Sequence, residues 1–158
     1  MLNPIVFREI WQKPELESGS KDYWREVFKT ARFDLDKRSK EVVFHAILGH
    51  RIIGLSTAQL LFLPEYNNNA FYNFRISVHP DYRMPGLADK LCVETILFLE
   101  EFTKRAAKPA VGVVTVIEDK RIHLYKRNTV YSASGLIFGG YTQNGAQIRL
   151  KYFDDVTI

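Results

Sequence analysis

The sequence predicts an α/β fold: a mixed, mainly antiparallel sheet of about seven strands flanked by helices, as a single domain over residues 1–158. Three observations predict it. Runs rich in β-branched and aromatic residues recur along the chain, separated by turn-forming segments. Two pairs of these runs are joined by short links, at Gly49-His50 and at Gln143-Asn144-Gly145, as antiparallel hairpins are. One further pair flanks a long amphipathic stretch, the pattern of a helical crossover between parallel strands.

The first strand is residues 5–10. After Pro14, Ser20 is placed to cap a helix reaching about Ala31, with Tyr23, Trp24, Val27, Phe28 and Ala31 on its apolar face. Residues 42–48 and 51–61 form the first hairpin. Pro64 to Asn69 is a loop by composition. Residues 71–78 make the central strand, closed by His79-Pro80 because proline cannot donate to a sheet ladder. In the stretch that follows, Ala88, Leu91, Cys92, Thr95, Leu99, Phe102 and Ala106 recur at helical spacing, and Pro109 bars continuation. Residues 110–117 are a nearly unbroken β-branched run, suited to a strand covered on both faces. Residues 118–126 read as a short helix with an acidic start, and residues 136–142 and 146–153 as the last hairpin.

Composition narrows the function. A chain 46% hydrophobic and 25% charged is ordinary for a globular domain, and no apolar run approaches a membrane span. The single cysteine, Cys92, sits on the apolar helix face and reads as a packed thiol, in keeping with a reducing, cytoplasmic compartment. The net charge of +4 is scattered from Arg8 to Lys151, which reads as a solvated surface rather than a nucleic-acid patch. No ligand partner stands at metal-binding spacing from His45 or His50, so no metal site is expected.

The segment from Asp81 to Ala88 joins the central strand directly to the long helix. Such a turn aims unpaired backbone N–H groups at one point, where the helix dipole also favours an anion. Spacing alone fits a unit without a ligand equally well. The residues themselves say more. Arg83, Gly86 and Ala88 occupy the defining positions of a segment that resembles the signature of the GNAT acyltransferase superfamily, (Gln/Arg)-x-x-Gly-x-(Gly/Ala). The resemblance implies a GNAT-like domain whose turn holds the pyrophosphate of acetyl-coenzyme A through main-chain amides, with Val78, Arg83, Met84, Gly86, Leu87 and Ala88 around the cofactor. It also implies that the central and fifth strands splay apart to admit the pantetheine arm. Pro85 departs from the pattern in lacking one N–H donor.

A second segment, Ile122 to Tyr125, is similar to the family's Ala/Ile-x-Leu-Tyr landmark. By that resemblance Tyr125 is the acid that protonates the leaving thiolate, and Tyr131, in a longer segment before Gly135, is its rival. Glu118 falls where many members carry an asparagine. No carboxylate lies between Phe71 and Val78, so Glu118 is the first candidate base for the attacking amine and His79 the second. The implied function is acetyl-coenzyme A-dependent transfer to a primary amine, on a small molecule or a protein. The alternative is a catalytically weak GNAT-shaped protein that engages a macromolecular partner. Exposed final strands leave a homodimer open.

Overall fold

A computed structural model describes residues 3–30, 32–119 and 127–158. Its strands are β1 (Ile5–Glu9), β2 (Val42–Leu48), β3 (Arg51–Leu63), β4 (Asn69–Val78), β5 (Gly112–Ile117), β6 (Ile137–Tyr141) and β7 (Gln147–Tyr152). The helices are α1 (Glu17–Val27), α2 (Leu35–Ser39) and α3 (Leu87–Thr103). The strands form a mixed sheet in the order β1-β2-β3-β4-β5-β7-β6. The pairs β1/β2, β2/β3, β5/β7 and β6/β7 are antiparallel, and β4/β5 is parallel, with α3 as the crossover. No helix among the described residues is long and apolar enough to cross a membrane.

Two compact units divide the chain, one of residues 1–58 and 76–95, the other of residues 59–75 and 96–158. In the first, α1 buries Tyr23 and Trp24 against Ile10, Val42 and Leu55. Full burial of such side chains is worth about 1.5–3 kcal/mol each. A second cluster joins Leu87 of α3 to Ala46, Ile53, Val78 and Tyr82. Neighbouring strand residues point to opposite faces, and Ser77 bonds Tyr23 of α1 while Val78 packs with Leu87. Hence α1 and the start of α3 cover opposite faces of β4. Pairing of Ala46 with Gly54 and Ile47 with Ile52 leaves Ile53 as an extra residue on β3. The parity flip puts Ile52 and Leu55 together in the cluster under α1, and the Ile53 carbonyl accepts the His79 N–H at 2.8 Å.

Two expectations need correcting here. Ser20 does not cap α1: the helix continues from a 3-10 turn over Pro14–Leu16, so it starts at Glu17 with Ser20 inside it. The Ser20 hydroxyl instead shares a buried 2.7 Å hydrogen bond with His45 Nε2. The helix also stops at Val27, leaving Phe28 as its C-cap, and Ala31 lies outside the described residues. The short helix α2 was not foreseen; Asp34 caps it, accepting the Lys37 N–H at 3.1 Å.

His45 makes stability depend on acid. Burial pushes its imidazole down to about 4 from an ordinary 6.5, with the Arg8 charge adding to the effect. A group neutral in the folded chain and protonated in the unfolded chain stabilises fully above the unfolded value, and that contribution is lost as pH falls toward the folded one. We expect roughly 3 kcal/mol to be lost between pH 6.5 and 4 by this group. Urea unfolding at several pH values checks it: His45→Gln should flatten the slope in that window, and an unchanged slope would contradict the assignment.

In the second unit, Phe71, Val114 and Leu150 pack with Leu63, Tyr66, Val111 and Tyr152. The Ala110 N–H donates to Thr103 Oγ1 at 2.6 Å, closing the connection from α3 to β5. The β4/β5 pairing runs from Phe71↔Gly112 to Asn73↔Val114, although β4 continues to Val78 and β5 to Ile117. Thus the two strands stop pairing well before either ends.

Candidate active site

The turn after β4 is built in two steps. Pro80–Tyr82 forms a 3-10 turn capped by His79, whose Nδ1 accepts the Asp81 N–H at 3.2 Å. Arg83 is then extended, and Met84 to Leu87 reverse the chain through a hydrogen bond from Leu87 N–H to the Met84 carbonyl at 3.3 Å. Pro85 and Gly86 hold the two central positions, with Gly86 at φ +82, as a type II turn requires. Pro85 therefore occupies the one corner where a fixed φ helps and the turn itself needs no N–H. The Gly86 carbonyl accepts from Lys90 at 2.9 Å and opens α3.

That geometry leaves a cradle. A Cβ on Gly86 would meet nothing within 4 Å, so the approach to its backbone is open. Arg83, Met84, Gly86 and Ala88 are exposed around the helix start. Val78 and Leu87 are not: both side chains pack in the cluster with Ala46 and Ile53, so only their backbones face a ligand. An exposed guanidinium beside the positive end of a 17-residue helix favours an anion.

α1 reaches this strand end twice. The Tyr23 hydroxyl lies 2.9 Å from Ser77 Oγ, and Glu26 Oε1 lies 3.2 Å from His79 Nε2. Burial pushes the Tyr23 phenol up to about 12, against the opposing effects of the Ser77 hydrogen bond and the Arg83 charge. Arg51 pairs with the same Glu26 oxygen and lies over the Tyr82 ring. His79 is 5% exposed, with the rings of Tyr23 and Tyr82 edge-on to it. With Nδ1 accepting from Asp81, Nε2 carries the hydrogen and donates it to Glu26. The His79 lone pair is thus already engaged.

The other predicted positions are in the second unit or beyond description. Glu118 is exposed, one residue past the end of β5. Tyr125 lies outside the described residues. Tyr131 donates its hydroxyl to Gln147 Oε1 at 3.0 Å, and the buried Arg149 guanidinium sits 3.8 Å from its ring centroid. Arg149 Nε and Nη1 donate to Gln147 Oε1 and the Thr129 carbonyl, at 2.6 and 2.9 Å. Sequence reading missed Ser77, Glu26 and Arg51, and gave Tyr23 only a packing role. Among the described residues, no three His, Cys, Asp or Glu side chains gather as a metal site would need.

The strand order and the parallel β4/β5 pair with α3 as its crossover match the GNAT fold. No protein-family model matches the sequence, and no curated protein is significantly similar to it. Solved structures do match. Arabidopsis thaliana NAA60 in complex with acetyl-CoA is 19% identical, with a TM-score of 0.58 over 94% of this chain and 98% of that one. A GNAT-family acetyltransferase from Streptococcus pneumoniae is 14% identical, with a TM-score of 0.62 over 95% and 99% of the two chains. A GNAT-family acetyltransferase from Brucella melitensis, also in complex with acetyl-CoA, is 13% identical, with a TM-score of 0.59 over 99% and 92%. At these identities the likeness is one of fold.

Proposed function

We propose that this chain is an acetyl-coenzyme A-dependent N-acetyltransferase acting on a primary amine. The observation that carries the reading is the Gly86 turn: a positive-φ glycine with an open approach, at the start of α3 and directly after β4. The acetyl-CoA complexes of the NAA60 and Brucella structures support the same donor.

In this reading acetyl-coenzyme A supplies an activated acyl thioester and a thiol leaving group. The backbone from Gly86 to Ala88 and the Arg83 charge hold the pyrophosphate, with Val78, Met84 and Leu87 lining its approach. Glu118 takes the proton of the acceptor ammonium, because its carboxylate is exposed whereas the His79 lone pair is engaged. Tyr125 protonates the departing thiolate, and Tyr131 is the alternative acid. A reducing, cytoplasmic setting suits the buried Cys92 thiol.

Thiol release from acetyl-coenzyme A, measured over peptides, polyamines and aminoglycosides, tests the reading. Tyr125→Phe should lower turnover by about 10²-fold while leaving acetyl-coenzyme A affinity within a factor of two or so. Loss of turnover in Tyr131→Phe alone would transfer the role to that residue. Tight binding of acetyl-coenzyme A without transfer to any amine would favour a GNAT-shaped binding protein.

A further inference from the structure

We propose that Ser77, held by Tyr23, is a hydrogen-bond donor to the acyl carbonyl oxygen of the thioester, an inference that rests on the acetyl-coenzyme A reading above. The two hydroxyls lie 2.9 Å apart, one from α1 and one from the last turn-ward residues of β4. Either hydroxyl can donate, and we assign the donor role to Tyr23, the more acidic of the two, with the Ser77 oxygen accepting. Tyr23 is 3% exposed, and its phenol stays protonated through neutral pH. It therefore acts as a fixed donor rather than a base.

The consequence falls on Ser77. Its own hydrogen must point elsewhere, and among the described residues no other partner bonds its side chain. Donation from Tyr23 polarises that hydroxyl and makes it a better donor. Ser77 is half-buried rather than sealed, and Val78 alone separates it from His79, the cap of the anion-holding turn. The Tyr23 ring lies edge-on to the His79 ring with centroids 6.4 Å apart, so the hydroxyl pair and the turn share one neighbourhood. A neutral, polarised donor beside a site for an anionic cofactor suits a carbonyl oxygen, and it strengthens as that oxygen gains charge. The sequence alone hides this pair, because Tyr23 and Ser77 are 54 positions apart.

Binding of two ligands separates this role from packing. Acetyl-coenzyme A carries the carbonyl; S-ethyl-coenzyme A replaces it with methylene and keeps the pyrophosphate. Calorimetry on the wild-type chain should show acetyl-coenzyme A bound about fivefold more tightly, or more, as one hydrogen bond allows. In Ser77→Ala that ratio should fall to about one, with S-ethyl-coenzyme A affinity unchanged. Tyr23→Phe should lower the ratio part of the way. The Tyr23→Phe/Ser77→Ala double variant leaves no orphaned hydroxyl, so it folds even where the single alanine variant does not, and its ratio should match that of Ser77→Ala. An undiminished ratio in either variant lacking Ser77, or no preference in the wild type, overturns the proposal. Failure of the wild type to bind either ligand overturns the cofactor reading beneath it.

Discussion

Gly86→Glu should lose acetyl-coenzyme A affinity by 10²-fold or more while the chain still folds. A side chain there occupies the open approach to the backbone, and its carboxylate repels the phosphates across a few ångströms. The cost to the fold is limited, because a Cβ at this position meets no neighbour within 4 Å. What remains is the strain of an L-residue at φ +82, about 1–2 kcal/mol. Gly86→Asn is the matched control, since asparagine tolerates a left-handed backbone and brings no charge. Calorimetric titration of both variants should rank wild type above asparagine above glutamate. Glutamate binding as tightly as wild type would remove the turn from the cofactor site.

Gly112→Ala should destabilise the fold more than any other single methyl group added to a strand. Gly112 opens β5, opposite Phe71 on β4 and Tyr152 on β7. A Cβ there would run into the Lys151 carbonyl oxygen and lie 3.0 Å from the Tyr152 Cα. Both obstacles are backbone, so no rotamer change relieves them. Overpacking of this kind costs about 1–3 kcal/mol, and the rigid partner points to the upper end. At about 3 kcal/mol, a chain of 158 residues loses roughly 6–12 °C in Tm. A Tm within about a degree of wild type would mean that β5 and β7 are spaced more widely at this point.

Local signals carried most of the fold into the sequence. The strands, the first hairpin and α3 were legible because periodicity and turn chemistry act over a few neighbouring residues, as at Gly49 and in the run from Leu91 to Phe102. Ser20 misled because it is a good cap in isolation, whereas Pro14 had already started the turn that feeds α1. α2 spans only Leu35–Ser39, too short for a helical period to register. Pro85 looked like a lost donor until the turn type gave it a corner of its own.

The turn from Arg83 to Ala88 was legible because it is contiguous, whereas contacts assembled from distant segments were hidden. His79 read as the second candidate base, yet Glu26 and the Asp81 N–H occupy its two nitrogens. Nothing in the local pattern links it to a glutamate 53 positions away. Ser77 was overlooked for the same reason, being an ordinary strand residue until Tyr23 is brought against it.

Thermal unfolding of the wild-type chain with and without acetyl-coenzyme A tests the central claim most directly. At about a hundredfold excess over the dissociation constant, binding to the folded state alone stabilises by roughly 2.7 kcal/mol. For a chain of this length that is a rise of about 5–11 °C in Tm. Acetyl-pantetheine, which keeps the thioester but lacks the pyrophosphate, should give much less. An equal rise with acetyl-pantetheine, or no rise with millimolar acetyl-coenzyme A, would contradict a cofactor site at the Gly86 turn.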